Sequence, residues 1–428
     1  MIAELSALTQ SLRTLRIGGE ELRQVQDEKL RRVVSHAYEQ VPFYRKRFEE
    51  AGLHPSQIRG LQDLDRIPIT TKADLRAAGE RARVRESLPL ERCRRAYTSG
   101  SSGEPFAVLL DRRDLARRNA QHFRSMLSIG VGPRERLVHV GPIQWPPKRW
   151  THRLGIWPRE YVSPAWPPTR QLEELRRFAP DVLWTAPTRL RALWEAAGRD
   201  FRNLGQPRAV ILGAECLDPA MTREMREQWG VEVFDFYGSV EFGRIARECT
   251  AHEGLHVDAD LLHLELLPTT VTEGDQSLES TVVTQLEVSA MPLLRYDLGD
   301  LASWRTDEPC TCGSHFPRIQ PPRGRNHRVV LLPSGRTLSS SIFSFLLRDF
   351  TVLRRYRVVQ ETIGLFRILV DPLPGAGAPP LAEIRDRVLE ALGEDVEVVC
   401  EEAALTEDTA TKFVDFETRL EAARGASA

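Results

Sequence analysis

From Glu20 to Ala51 the apolar positions Leu22, Val25, Leu30, Val33, Val34, Ala37, Tyr38 and Val41 recur at helical spacing, and Pro42 interrupts them. Residues 63–87 predict short helices, with Thr70-Thr71 ahead of Lys72 and Asp74 as a capping site. Arg95–Thr98 and Phe106–Leu110 are extended runs around a Gly/Ser loop, which predicts two strands joined by a glycine-rich turn. Beyond Asp114, strand-like runs at Arg136–Val140, Val182–Thr185, Ala209–Leu212 and Val231–Phe236 alternate with helical patterns over 169–178, 187–198 and 218–229. That alternation predicts an α/β architecture.

The segment 141–168 breaks the rhythm. It carries Trp145, Trp150, Trp157 and Trp166 among seven prolines, and predicts a long aromatic-rich loop or lid with no regular element. Strand patterns dominate 255–305. The tail predicts strands at 355–359, 364–370 and 396–401, with a Gly/Pro-rich break over 372–380 and a helix over 381–392. The fold class expected is therefore α/β. A large multi-layer domain over 1–325, with β-sheets flanked by helices, precedes a small mobile α+β domain over 326–428.

Composition narrows the function classes. The 428 residues carry 59 Lys+Arg against 60 Asp+Glu, a net charge of −1, so no electrostatic reason exists for a nucleic-acid or anionic-membrane partner. No stretch reaches the roughly 18 uncharged apolar residues of a membrane span. The first 22 residues lack the apolar centre of a signal peptide, and a cytoplasmic location is expected. Six cysteines are too few for a disulfide scaffold in a chain this long.

Three motifs carry candidate chemistry. In Thr98-Ser99-Gly100-Ser101-Ser102-Gly103-Glu104-Pro105, hydroxyls and glycines in a tight turn offer O–H and N–H donors suited to a polyphosphate. The Walker pattern is absent, and a Ser/Gly hairpin without a ligand is the alternative. In Asp235-Phe236-Tyr237-Gly238-Ser239-Val240-Glu241, an aromatic, a glycine and a carboxylate follow a strand, where they would line a ligand crevice. In Arg295-Tyr296-Asp297-Leu298-Gly299-Asp300, Asp300 is placed to accept hydrogen bonds from a ribose.

A further constellation is Cys249, His252 and His256, followed by Cys310 and Cys312. These soft S/N donors suit tetrahedral Zn²⁺. The four favoured ligands are Cys249, His256, Cys310 and Cys312, with His252 the substitute for His256, His315 a further option, and free thiols in a loop the alternative. The remaining histidines, including His122, read as surface or packing residues. His139 reads as a core residue, with a pocket-facing position as the alternative. The arginine runs 92–95 and 112–118 read as solvated faces.

Taken in order, TSGSSGEP, YGSVE, RYDLGD, Gly324-Arg325 and the late Lys412 resemble the adenylate-forming superfamily of acyl-CoA synthetases, adenylation domains and luciferases. The stretches Gln26…Lys29-Leu30…Val41-Pro42-Phe43-Tyr44 and Ile67-Pro68-Ile69-Thr70-Thr71-Lys72, with Gly213-Ala214-Glu215, look like its phenylacetate–CoA ligase branch. The resemblance implies that the 98–105 loop (Thr98, Ser99, Gly100, Ser101, Ser102, Gly103) holds the β- and γ-phosphates of ATP. It implies that Gly213, Ala214 and Glu215, with Phe236, Tyr237 and Gly238, flank the adenine and the acyl pocket. Ser239 and Glu241 would contact the α-phosphate and Mg²⁺, Asp300 the ribose hydroxyls, and Arg325 would lie near the ribose and the domain hinge. Lys412 would come over with the small domain during adenylation.

The implied activity is ATP-dependent adenylation of an aryl or other hydrophobic carboxylic acid, followed by transfer to coenzyme A. An amine or a carrier-protein thiol is the alternative acceptor, and a non-catalytic nucleotide-binding relative is the rival of another class. Homodimerisation stays open. Three departures stand out: Glu104-Pro105 replaces the frequent Lys-Pro, Asn326-His327-Arg328 replaces acidic residues, and no glycine precedes Lys412.

Overall fold

The computed structural model describes the chain apart from residues 1–8, 10–11, 16, 99–105, 142–154, 216–218, 274–275, 307–308, 327, 348–349, 351, 374, 376, 406–414 and 421–428. The helical face read at the start forms α1 (Gly19–Gln40), which buries Leu22, Leu30, Val33, Val34 and Ala37. Val41 turns extended, and Pro42 opens α2 (Pro42–Glu50), where its missing N–H costs nothing. Helix α3 (Lys72–Ala77) starts at the expected cap. The Thr71 hydroxyl accepts from the Asp74 N–H, and the Asp74 carboxylate accepts from the Thr71 N–H.

Strands β1 (Arg94–Tyr97) and β2 (Ala107–Leu110) pair antiparallel, with Tyr97 opposite Ala107. They lead into α4 (Arg112–Ser128), capped reciprocally by Asp111 and Asp114. The central layer follows. Strands β3 (Leu137–Val140), β4 (Arg159–Val162), β5 (Val182–Thr185), β6 (Ala209–Gly213) and β7 (Glu232–Ser239) are parallel neighbours in the order β4-β3-β5-β6-β7. Helices α5 (Pro168–Phe178), α6 (Pro187–Ala196) and α7 (Pro219–Trp229) connect them. The runs Leu-Val-His-Val in β3 and Ala-Val-Ile-Leu-Gly in β6 are buried throughout, because both faces of this sheet are covered. Met126 and Ile129, in and just after α4, pack with Val182, Ile211, Phe234 and Phe236 on one face. Leu172, Leu190 and Met225 pack with Val138, Val210 and Leu212 on the other.

At β7 the sheet turns antiparallel and continues through β8 (Gly243–Glu248) and β9 (Leu255–Val257). The turn needs two glycines. Gly243 has φ +76°, and a Cβ on Gly238 would lie 2.3 Å from the Gly243 carbonyl oxygen.

A second sheet joins β10 (Leu262–Glu273), β11 (Gln276–Gln285) and β12 (Tyr296–Ala302), with β13 (Trp304–Arg305) and β14 (Arg318–Ile319) extending the central sheet beyond β9. Strands β15 (Val329–Leu331) and β16 (Thr337–Ser339) continue the second sheet beside β10. Their Val330 and Leu338 nevertheless share a core with the tail. That tail holds α8 (Ser341–Leu347), β17 (Leu353–Thr362), β18 (Leu365–Pro372), α9 (Leu381–Leu392), β19 (Glu397–Glu402) and β20 (Phe416–Thr418), in a sheet ordered β19-β18-β17-β20.

Two expectations need correction. The 141–168 segment is not loop throughout, since Arg159–Val162 forms β4 beside β3 and Pro168 opens α5. An edge strand needs little apolar patterning, and in β4 only Val162 is buried. The strand expected to stop at Phe236 runs on to Ser239, because Tyr237 and Gly238 pair with Ala246 and Arg244 of β8.

Candidate functional site

Strand β7 delivers its residues alternately to opposite faces. The Tyr237 hydroxyl donates to Asp300 Oδ2 at 2.8 Å, and Arg325 Nε lies 3.1 Å from Asp300 Oδ1. Asp300 and Arg325 also form a backbone bridge. Three stretches more than 20 residues apart thus meet at one carboxylate. Burial, then the Asp300 charge, raises the Tyr237 hydroxyl well above its ordinary pKa, so it stays a donor. The Asn326 departure has a local use: its N–H donates to the Gly299 carbonyl, and its side-chain amide to Ser280 Oγ. Gly299, at φ +73°, is the bend that presents Asp300.

A second carboxylate stands at the end of the same motif. Glu241 is buried, accepts from the Tyr296 hydroxyl at 3.2 Å, and has Lys72 Nζ at 3.7 Å. Lys72 arrives there because Thr70 docks on β12: the Thr70 N–H donates to the Arg295 carbonyl, and the Asp297 N–H to the Thr70 carbonyl. Arg118 of α4 donates to the carbonyls of Val240 and Glu241 at 2.9 and 2.6 Å. This corrects the reading of 112–118 as a wholly solvated face, since burial lowers the Arg118 guanidinium to about 10. Ser239 Oγ accepts from the Phe242 N–H and closes the turn.

Gly213 ends β6 against β7, and a Cβ there would meet the Phe236 carbonyl oxygen at 2.6 Å. Ala214 follows at φ +70°, and Glu215 accepts from the Thr188 N–H at the start of α6. The structure therefore brings Gly213 against Phe236, Tyr237 against Asp300 and Arg325, and Glu241 against Lys72. Thr98 is buried at the end of β1, and its N–H donates to the Phe106 carbonyl. Ser99, Gly100, Ser101, Ser102, Gly103 and Lys412 lie outside the described residues.

The sulfur and imidazole ligand atoms of Cys249, His256, Cys310 and Cys312 lie within 4.8 Å of one another. Cys249 Sγ is 3.5 Å from Cys310 Sγ, and Cys312 Sγ 3.4 Å from His256 Nε2. His256 Nδ1 lies 3.2 Å from the Phe316 carbonyl oxygen, the kind of outer contact that fixes a ligating ring. His252 is elsewhere: its ring nitrogens face Glu248 and Glu232 at 2.9 and 3.0 Å, and it stacks on Phe234. His315 packs against Gly18.

Sequence reasoning left Lys72, Tyr296 and Arg118 without a functional role. Their signal is only their distance in sequence from the residues they hold.

A family model described as AMP-binding enzyme matches residues 91–264. The phenylacetate–coenzyme A ligase of Thermus thermophilus is 30% identical over 81% of this chain and 79% of its own. That of Escherichia coli is 28% identical over 66% and 67%. A solved structure of 2-hydroxyisobutyryl-CoA ligase in the postadenylation state has a TM-score of 0.79 at 22% identity, covering 97% of this chain and 93% of that one. The same ligase in the thioesterification state, over the same coverage, has a TM-score of 0.62.

Proposed function

The chain belongs to the adenylate-forming AMP-binding enzymes, in their phenylacetate–CoA ligase branch, and from that premise we propose how it works as an ATP-dependent acid–CoA ligase. The acid's carboxylate attacks the α-phosphorus of ATP, pyrophosphate leaves, and an acyl adenylate forms. The coenzyme A thiol then displaces AMP to give the acyl-CoA thioester. The observation that carries the assignment of roles is the convergence on two carboxylates: Tyr237 and Arg325 on Asp300, and Tyr296 and Lys72 on Glu241.

Asp300 is an acceptor held by two donors, which suits a pair of ribose hydroxyls. Glu241 is a hard oxygen ligand beside the predicted phosphate site, which suits Mg²⁺ carried in with ATP phosphates; the ion would offset phosphate charge there. Arg118 and the Ser239 turn fix the backbone that presents Glu241. The 98–103 loop, closed at its base by the Thr98–Phe106 hydrogen bond, is assigned to the β- and γ-phosphates. Gly213, Ala214 and Glu215 line the approach to Phe236. The part from 1 to 325 supplies the nucleotide and acid sites, and the part from 326 onward supplies Lys412.

Cys249, His256, Cys310 and Cys312 are assigned to a structural Zn²⁺. The four-donor set and spacing fit a closed tetrahedral site, with no position left for chemistry. The acid is taken to be aryl or otherwise hydrophobic, supported by the aromatic side chains Trp184, Phe236, Phe123 and Trp157 near α4. A cytoplasmic location fits cysteines that are free in the structure, and no helix among the described residues is long and apolar enough to cross a membrane.

The test is pyrophosphate release across a panel of acids, followed by mass spectrometry of the product with coenzyme A present. Release with thioester formation is expected. Release without thioester would move the acceptor to an amine or carrier protein, and no release with any acid would make the chain a non-catalytic relative.

A further inference from the structure

Behind the site motif, on the α4 face of the sheet, lies a buried cation with no ion-pair partner. Arg244 of β8 sits opposite Gly238 in the β7–β8 register and is only 8% exposed. Its guanidinium carbon lies 3.7 Å from the Phe236 ring centroid and 5.7 Å from that of Trp184. Nη1 is buried without an acceptor.

Two of the nearby carboxylates are committed elsewhere. Asp258 takes Arg124 at 2.8 Å, Gln121 at 2.9 Å and Arg247, and Asp260 takes Arg124 at 2.7 Å. Among the described residues no carboxylate comes within ion-pair distance of Arg244. Three buried guanidiniums, those of Arg124, Arg244 and Arg247, share Asp258 and Asp260, and the third buried aspartate, Asp235, attracts Arg244 only from beyond ion-pair distance, so Arg244 is left without a direct counterion. Burial accordingly lowers it to about 9. A buried polar group without a partner is costly and calls for an explanation, of which a bound ligand is one.

The neighbours are ring side chains. His122 of α4 stacks on Trp184 with centroids 5.3 Å apart, and His139 of β3 lies 4.9 Å from the same ring. Desolvation by the surrounding protein pulls the His122 imidazole down to about 3, yet the residue keeps some accessible surface. The alternation along β7 sends Tyr237 to Asp300, so Phe236 and the Arg244 side are left for the other substrate.

We propose that Arg244, lying on Phe236 and beside Trp184 and His122, selects an aromatic acid that bears an oxygen substituent, a hydroxyl or a second carboxylate, at the end remote from the reacting carboxyl. The aromatic rings offer flat walls to the substrate ring, and the guanidinium donates to the substituent oxygen. This rests on the acid-adenylating reading above.

The experiment uses the full chain and matched acids: benzoate with 4-hydroxybenzoate and terephthalate, and phenylacetate with 4-hydroxyphenylacetate. Pyrophosphate-release kcat/KM and calorimetric acid binding are read in parallel. The wild type should favour the substituted member by roughly tenfold or more, since a site built around a substrate oxygen discriminates strongly against its absence. Arg244→Met should bring that ratio to about one while leaving the KM for ATP and the activity on the unsubstituted acid within about threefold. A wild-type preference for the unsubstituted acids overturns the assignment, whether or not the variant folds. So does an equal loss on both members in Arg244→Met, which would mean that Arg244 holds the reacting carboxylate or only the fold. Preferential binding without pyrophosphate release would count against the adenylation reading alone; release or binding without preference would count against Arg244.

Discussion

Asp235 shows how much of this site is decided by single side chains that a sequence cannot weigh. It is buried between β6 and β8, and burial, then the Glu248 charge, pushes its carboxyl up to about 7, with Arg244 opposing more weakly. Its folded pKa thus lies above the ordinary value of 3.8, so between about pH 4 and pH 7 the folded state binds more protons than the unfolded one. Stability contributed by this group is full below that window, falls as pH rises through it, and is lost above about 7. Asp235→Asn, neutral at every pH, should therefore raise Tm at pH 8 more than at pH 5, by about 2 °C or more. Equal shifts at both pH values in thermal melts would show Asp235 ionising normally. The same blindness hid Arg118 and Arg244, since an arginine in sequence looks solvated until the fold removes its water. It also left His252 and His256 as alternatives, which the structure separates by placing His256 against the cysteine sulfurs and His252 against Glu232 and Glu248.

At the scale of elements, the strands and helices buried on both faces were legible, because continuous apolar runs such as Ala209–Leu212 have few other uses. Edge strand β4 and the last three residues of β7 were not. Their pairing comes from neighbours far along the chain, and Gly238 reads locally as a stop although the sheet needs it for close approach. Strands β1 and β2 pair as the two extended runs predicted, and the glycine-rich stretch between them lies outside the described residues. If it cradles phosphate, Gly100→Val or Gly103→Val should lower kcat/KM for ATP on the order of 10²-fold with an unchanged melting curve. Near-wild-type ATP use in both variants would remove the turn from the site. The Cys/His cluster brings together the residue after β8, strand β9 and the 310–312 stretch. Metal analysis of protein purified without added zinc should find about one equivalent, and chelation should lower Tm. Metal-free protein, together with a Cys310→Ser variant that melts like wild type, would reduce the cluster to loop thiols.

The whole molecule poses the question of how its two ends cooperate. Apolar residues from Val330 to Phe416 form a core separate from those of the central sheet, yet β16 pairs with β10, so the tail is joined to the second sheet through β15 and β16. The late lysine was legible as the one basic residue between Arg387 and Arg419, but no local pattern says what it approaches. Strand β20 begins four residues after Lys412 and pairs with β17, with Val358 opposite Phe416. A cation carried on a movable part can serve one step and be absent from the next. During adenylation its ammonium would offset charge developing on the carboxylate and α-phosphate oxygens, a stabilisation specific to the transition state. Lys412→Ala should then slow acyl-adenylate formation by a factor on the order of 10²–10³. It should barely change ATP affinity, which the Asp300 side supplies, and it should spare transfer to coenzyme A from a chemically supplied acyl adenylate. Single-turnover measurement of each half-reaction separates the outcomes. No loss in either half would make Lys412 a solvent-facing side chain. An equal loss in both would mean that the small part holds one orientation throughout, with Asn326 and the Arg328–Asp415 contact at 3.9 Å as the places to look for what restrains it.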